Sequence, residues 1–157
     1  MIGTVVHPIN MQRACVHVAQ NKGSAGVDRM PHSALKDHVR QNRERIVAVL
    51  KRGDYSAQPI LGVEIPKSNG KKRLLGIPTV TDRWLQQCVA QAITPLFEFG
   101  FKAYSYGFRP GKNAHQCVMQ AQQYINEGHQ HIVDIDLKSF FDEVDHCLLL
   151  QLYENDV

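Results

Sequence analysis

Two apolar runs joined by an Asn-Gly pair constrain the fold of this sequence more than any other feature. The runs are residues 60–66 (ILGVEIP) and 72–77 (KRLLGI), and Ser68-Asn69-Gly70 lies between them. Asn-Gly between apolar runs is the strongest short-range signal for a hairpin, because both residues tolerate the positive φ of a tight turn. The sequence therefore predicts a β-hairpin with lysines at its tip.

The segments around the hairpin have the apolar period of helices. The predicted helices cover about 4–20, 33–52, 81–95, 114–127 and 146–153. Pro95 should end or kink the third helix, whereas Asn113 is a good N-cap and Gly128 a good terminator for the fourth. Residues 131–137 (HIVDIDL) alternate strictly, which predicts a strand. Helices around a small amount of sheet indicate the α+β class.

Composition excludes several classes of protein. The 157 residues are 43% apolar, which is typical of one folded domain rather than a disordered chain. No stretch approaches the roughly 18 apolar residues of a membrane helix, and the N-terminus lacks the pattern of a secretory signal. We therefore expect a cytoplasmic protein without a membrane segment. The four cysteines form no Cys-x-x-Cys pair and are expected to be buried, reduced thiols (Cys15, Cys88, Cys117 and Cys147).

The net charge of +3 conceals a separation of charge along the chain. Residues 1–83 contain fourteen Lys and Arg against six Asp and Glu, whereas residues 84–157 contain four against nine. A basic half beside an acidic half suggests an anion-binding surface next to a cation-binding or catalytic pocket. Solvated charge on helix faces would give the same distribution.

Five carboxylates lie within twelve residues after the predicted strand begins (Asp134, Asp136, Asp142, Glu143 and Asp145). The strand would place Asp134 and Asp136 on one face, where like charges repel unless a cation relieves them. Mg²⁺ is the obvious candidate, since it binds carboxylate oxygens together with substrate phosphates. The alternative is that Glu143 or Asp145 caps the following helix.

Two further segments combine positive charge with recognition chemistry. The hairpin offers Lys67, Lys71, Lys72 and Arg73, which could hold a triphosphate or a nucleic-acid backbone. The alternative is an edge strand whose lysines protect against aggregation. Residues 104–112 (YSYGFRPGK) mix aromatic rings with Arg109 and Lys112, a mixture typical of single-stranded nucleic-acid binding, unless the rings simply fill a core.

Three blocks of the sequence, in this order, closely resemble the conserved finger and early palm blocks of group II intron reverse transcriptases. They are IPKSNGKKRLLGIPTVTDRWLQQ, YSYGFRPGKNAH and VDIDLKSFFDEVDH, and NKGSAGVDRM resembles the N-terminal extension block of the same family. The resemblance spans residues 21–150. It implies a finger region of helices packed around a β-hairpin, with the first palm strand, as an incomplete right-hand polymerase fold.

The resemblance also implies domain boundaries and residue roles. An N-terminal extension would cover 1–32, the fingers 33–128 and the start of the palm 129–157. Asp136 would be the metal-binding catalytic aspartate, the backbone carbonyl of Leu137 a further metal ligand, and Phe141 the steric gate that favours deoxynucleotides. The remaining implied contacts are Lys67 and Arg73 with the incoming triphosphate, Ile77 with the templating base, Gly107, Phe108, Arg109, Pro110 and Lys112 with template RNA, and Gly23, Ser24, Ala25 and Gly26 as a lid over the template.

The implied function is that of an RNA-directed DNA polymerase and splicing maturase, with Mg²⁺ as cofactor and intron RNA, template, primer and dNTPs as partners. The aromatic-Ala-Asp-Asp palm motif of the family does not occur in these residues, so we expect a fragment that is inactive alone. Two alternatives are a catalytically silent RNA-binding module and a metal nuclease. An open palm edge predicts self-association, and Asp82 with Arg83 is expected to form a structural ion pair.

Overall fold

The structure is a computed structural model that describes residues 1–66, 68 and 70–156. The chain divides into two compact units, Met1–Ala103 and Tyr104–Val157. The N-terminal unit contains α1 (Ile2–Val5), α2 (Pro8–Gln20), a 3₁₀ turn (His32–Ala34), α3 (Leu35–Arg52), β1 (Leu61–Pro66), β2 (Lys72–Ile77) and α4 (Val80–Glu98). The C-terminal unit contains α5 (Ala114–Asn126), α6 (Phe140–Glu143) and α7 (His146–Asp156). The division lies inside the predicted finger segment, and the boundaries after residues 32 and 128 stay predictions.

The first predicted helix is interrupted. Residues 4–20 do not form one helix, because α1 ends at Val5 and α2 begins at Pro8. His7 has extended backbone angles (φ −60°, ψ 133°), as expected for a residue whose α conformation is disfavoured by the proline after it. Pro8 itself suits the first turn of α2, where its missing N–H would have had no partner.

The hairpin prediction is confirmed. Strands β1 and β2 are antiparallel, with a register that runs from Leu61 opposite Ile77 to Pro66 opposite Lys72. Gly70 in the turn has the positive φ of 78° that an L side chain rarely adopts. Lys67 and Asn69 lie outside the described residues.

The long helices of the N-terminal unit follow the predicted pattern. Helix α3 ends at Gly53, whose left-handed backbone (φ 77°) lets its N–H bond to the Leu50 carbonyl at 3.1 Å. Helix α4 begins after Thr79, whose hydroxyl accepts the N–H of Asp82. It does not end at Pro95 but continues to Glu98. Pro95 removes only one backbone hydrogen bond near the end of the helix, so the last residues stay helical.

A buried core joins α2, α3 and α4. Trp84 is completely buried and donates its indole N–H to the Met11 carbonyl at 2.9 Å. The other buried apolar residues are Val5, Val6, Met11, Ala14, Cys15, Val18, Leu35, Ile46, Val80, Leu85 and Cys88. The prediction of buried thiols is therefore confirmed for Cys15 and Cys88, and it is wrong for Cys117 and Cys147, which are exposed.

The C-terminal unit depends on local capping. Asn113 and Gln116 form a capping box at the start of α5, and Gly128, with φ 98°, follows its end. The Asp145 carboxylate accepts the backbone N–H groups of Cys147 at 2.9 Å and Leu148 at 3.0 Å at the start of α7. The expected helices are thus present, but α5 contains no buried residue.

The predicted palm strand is absent. Residues 129–137 have no regular secondary structure, and Ile132, Val133 and Ile135 are each 82% exposed. An alternating segment becomes a strand only when a second segment bonds to its backbone. In the described part of the chain, β1 and β2 pair only with each other. The helices and the hairpin confirm the α+β class. The prediction of a first palm strand at 131–137 is wrong for this structure.

None of the helices described is both long enough and apolar enough to cross a membrane.

Candidate functional site

One face of the hairpin combines an arginine with apolar side chains. The register places Arg73 opposite Ile65, and Leu75 opposite Val63, so these side chains share a face with Ile77. Arg73 is exposed, and no residue of the described part accepts a hydrogen bond from its guanidinium. This face offers an available guanidinium beside an apolar surface.

The opposite face carries a lysine that is already paired. The Lys72 Nζ lies 2.6 Å from the Glu64 carboxylate, and both side chains are exposed. An exposed pair of this kind contributes little stability, but it reduces the charge that Lys72 offers to a ligand. Of the residues predicted to hold a triphosphate, Arg73 is exposed and its role stays a prediction, and Lys67 lies outside the described residues.

The predicted ion pair between Asp82 and Arg83 does not form. Asp82 is only 4% exposed, and its carboxylate accepts hydrogen bonds from the Tyr55 hydroxyl at 2.7 Å, the Thr79 hydroxyl at 2.5 Å and the Gln58 N–H at 3.3 Å. Burial, followed by the hydrogen bond to Asp82 and its charge, raises the pKa of Tyr55 above its ordinary value. Arg83 instead donates from Nη2 to the Ser24 carbonyl at 2.5 Å. Neighbours in sequence thus bond to different partners because they point to different sides of α4.

The loop predicted as a lid packs against the start of α4. Gly26 is buried, and a Cβ there would lie 2.7 Å from the Thr79 Cα and 3.0 Å from the Pro78 carbonyl carbon. Gly23 lies directly against the Arg83 guanidinium. Glycine is required at position 26 because its backbone packs directly on the backbone of Pro78 and Thr79. The role of this loop as a lid stays a prediction.

The aromatic loop of the C-terminal unit exposes the rings of Tyr104 and Phe108 and holds two cations nearby. Phe108 is fully exposed at a left-handed backbone position (φ 54°), a strained conformation for a side chain of this size. Arg109 donates from Nη1 to the Ser105 carbonyl at 2.9 Å, and the Lys112 Nζ lies 5.3 Å from the centre of the Tyr106 ring. The alternative of core packing is therefore wrong for Phe108, whose ring is accessible to a stacking partner.

Asp136 and the predicted steric gate line one cavity. This cavity has a volume of about 540 Å³ and is lined by Ile135, Asp136, Leu137, Ser139, Phe140 and Phe141. Ser139 has a left-handed backbone (φ 51°) and turns the chain into α6. Phe140 and Phe141, the first two residues of α6, line the cavity together with Asp136. Asp136 is exposed, so its carboxylate is open to solvent and to ligands.

The described residues supply an incomplete set of magnesium ligands. They contain no group of three His, Cys, Asp or Glu side chains placed to hold a metal ion. The Asp145 carboxylate caps the start of α7, which was the alternative to a metal-binding role for this residue. Since two-metal chemistry needs several carboxylates around both ions, Asp136 and the Leu137 carbonyl are at most part of such a site.

Each unit brings together its own share of the predicted residues. The N-terminal unit holds the loop 23–26, Arg73 and Ile77, and the C-terminal unit holds the loop 107–112 with Asp136, Leu137 and Phe141. Sequence reasoning left Asp82 out of the site. A threonine three residues before an aspartate at a helix start is a capping signal that pointed to Thr79 and Asp82. Nothing in the sequence pointed to Tyr55 and Gln58.

Comparison with known proteins connects these features. The family model for reverse transcriptase (RNA-dependent DNA polymerase) matches residues 65–155. YkfC of Escherichia coli is 31% identical over 157 residues, which cover 96% of this chain and 41% of YkfC. The group II intron-encoded protein LtrA of Lactococcus lactis is 36% identical over 110 residues, which cover 69% of this chain and 18% of LtrA.

The chain thus spans less than half the length of either relative. An uncharacterized 91 kDa protein in the cob intron of Schizosaccharomyces pombe is 26% identical over 145 residues. The family match covers more than half of the chain and includes β2, the aromatic loop and Asp136. This chain belongs to the reverse transcriptase (RNA-dependent DNA polymerase) family and is homologous to group II intron-encoded proteins.

Proposed function

We propose that this chain binds template RNA and an incoming dNTP as the fingers and early palm of an RNA-directed DNA polymerase of the group II intron type. The observation that carries the proposal is the cavity shared by Asp136, Leu137 and Phe141. A carboxylate beside an exposed aromatic ring, five residues apart, suits a site that orients a nucleotide and excludes a ribose 2′-hydroxyl. The proposed partners are intron RNA, template, primer and dNTPs, in the bacterial cytoplasm.

The hairpin supports the nucleotide part of the proposal. A guanidinium presents a planar fork of donors that fits phosphate oxygens, and Arg73 is the exposed arginine of the hairpin. Ile77 lies four residues further along the same face, about 13 Å away at strand spacing. The hairpin could thus contact a triphosphate with one end and a templating base with the other.

The aromatic loop and the charge distribution support the RNA part. An exposed ring such as Phe108 stacks on any base, and Arg109 and Lys112 supply positive charge beside it. The N-terminal unit has fifteen Lys and Arg against seven Asp and Glu, a net charge of +8 that attracts a phosphate backbone. We therefore propose that RNA binds to these basic surfaces, with Mg²⁺ as the cofactor of a complete carboxylate set that includes Asp136.

The test is RNA binding by the 157-residue chain, measured by fluorescence anisotropy with a labelled single-stranded RNA. Binding should weaken steeply as salt rises, because each neutralised phosphate releases counterion. Phe108→Ala should lower affinity about tenfold, as expected for one lost stacked base, and Arg109→Ala should reduce the slope of log K against log salt by about 1. Lys138→Ala, in the acidic unit, is the matched control. No binding at about 50 mM salt, where phosphate contacts are strongest, would contradict the proposal.

The second candidate is a catalytically silent RNA-binding module. The incomplete set of metal ligands among the described residues favours it. The two candidates differ in nucleotide binding. The polymerase candidate predicts that ultraviolet light cross-links a labelled dNTP to the chain and that Asp136→Asn weakens this cross-linking. The module candidate predicts RNA binding without dNTP cross-linking. Neither predicts primer extension by this chain by itself. Self-association of the chain is part of both, and sedimentation that stays monomeric at high concentration would contradict it.

A further inference from the structure

A single buried carboxylate connects the two ends of the hairpin. Gln58 lies three residues before β1, and its N–H donates to the Asp82 Oδ2. Thr79 lies two residues after β2, and its hydroxyl donates to the same oxygen. Asp82 therefore closes the open end of the ladder, beyond the last pair, Leu61 and Ile77.

The other oxygen of the carboxylate reaches α3. The Asp82 Oδ1 accepts the Tyr55 hydroxyl, and Tyr55 follows the C-terminus of α3 and packs against the core. Asp82 itself stands in the first turn of α4, where its charge is favourable. Both oxygens are thus engaged, and they connect α3, α4 and both ends of the hairpin at one point.

The loop 23–26 is attached to the same point. Gly26 packs on the backbone of Pro78 and Thr79, and Arg83 donates to the Ser24 carbonyl. Thr79 therefore contacts the loop with its backbone and Asp82 with its hydroxyl. A change in the Asp82 cluster would reach the hairpin and the loop together.

We propose that Asp82 is a positioning residue that sets how the hairpin leaves the helical core and couples the hairpin to the loop 23–26. The functional part of this inference rests on the proposed nucleotide binding by the hairpin. The hairpin lacks a buried side chain of its own, so its orientation depends on its attachment. A carboxylate is required because three donors converge on it, whereas an amide in its place would turn a further donor toward them.

The experiment is site-resolved amide hydrogen exchange, from milliseconds to minutes, on the full 157-residue chain. In Asp82→Asn, the amides of 61–65 and 72–77 should exchange about tenfold faster or more, as expected when a hydrogen bond to a charged group is lost, and those of α2 should change little. Asp37→Asn is the matched control, because Asp37 is an exposed carboxylate that contacts Arg40. Hairpin exchange that stays as in this control would overturn the proposal.

A second pair of variants keeps the test valid if Asp82→Asn does not fold. Thr79→Val removes the hydroxyl at nearly constant volume, and Thr79→Ser retains it. Only the valine variant should increase the rate of amide exchange in the hairpin. Equal rates in the two variants would overturn the role of the hydrogen bond between the Thr79 hydroxyl and the Asp82 carboxylate. A general loss of packing would instead affect α2 equally.

The link to function is tested by combining Asp82→Asn with Arg73→Ala. If Asp82 positions the hairpin, Arg73→Ala should weaken ultraviolet cross-linking of a labelled dNTP in the wild-type background and have almost no further effect in the Asp82→Asn background. Additive losses would overturn the coupling. Cross-linking that is absent from the wild type would overturn the proposed nucleotide binding, while the exchange comparison would still decide the positioning role.

Discussion

The N-terminal and C-terminal units of this chain are ordered by different forces. Met1–Ala103 has a completely buried tryptophan, a buried carboxylate with three donors and a net charge of +8, whereas no described residue of the C-terminal unit is buried and its net charge is −5. Tertiary packing orders the first unit, whereas one capping box, the Asp145 cap and turns order the second. The comparison shows that the division of charge seen in the sequence follows the division into compact units.

The largest difference should be seen in thiol chemistry. Burial, and the nearby Cys15, raise the pKa of Cys88 to about 12 from an ordinary value of 9.0, whereas Cys117 is exposed. At pH 8 the thiolate fraction of Cys88 should thus be about a thousandfold lower than that of a thiol with the ordinary pKa. Iodoacetamide with mass-spectrometric mapping should modify Cys117 and Cys147 and leave Cys15 and Cys88 unmodified. Equal rates would show that the N-terminal core is open.

The same shift predicts a pH dependence of stability. Because the folded state holds the Cys88 proton more tightly than the unfolded chain, its stabilising contribution is complete below about pH 9 and is lost as pH rises toward 12. Cys88→Ala should lessen this loss in urea titrations across that window.

Trp84→Ala tests the packed core next. Truncation of a fully buried tryptophan should lower the free energy of unfolding by about 3–5 kcal/mol, since it removes apolar contacts and leaves a cavity. Phe108→Ala removes a large but exposed ring and should change stability by less than about 0.5 kcal/mol. Urea unfolding followed by circular dichroism measures both, and similar effects of the two would remove the distinction between the units.

Asn113→Ala tests local order in the C-terminal unit and should have the smallest effect. The capping box of α5 contributes about 1 kcal/mol, so amides of 114–126 should exchange about fivefold faster. Gln122→Ala, at an exposed position of the same helix, is the control for helix propensity. Protection in α2 should not change, and a change there would mean that the core depends on α5.

Local signals predicted much of the fold. The Asn-Gly turn predicted the hairpin, Asn113 and Gly128 predicted the limits of α5, and Gly53 the end of α3, because caps and turns act through backbone groups a few residues away. The same kind of signal was misleading for 131–137. These residues alternate as a strand does, but no described segment pairs with them, so no strand forms. It was also incomplete for residues 4–20, where Pro8 divides the helix.

The candidate site was predicted in its composition and not in its connections. Arg73 and Phe108 were identified from the positive charge and the aromatic rings of their segments, whereas the predicted roles of Asp136 and Phe141 come from the family resemblance. The cavity that joins Asp136 to Phe141 follows from the turn at Ser139, which spacing alone does not predict.

The sequence by itself determined the family, the helices, the hairpin and the separation of charge, since each is written in residue order or local spacing. Only the tertiary structure decided which thiols are buried, that Asp82 bonds to Tyr55, Thr79 and Gln58 rather than to Arg83, and that Gly26 packs on Thr79. The physical reason is distance along the chain. A buried carboxylate must be satisfied by whatever donors the fold brings to it, and these come from residues up to 27 positions away.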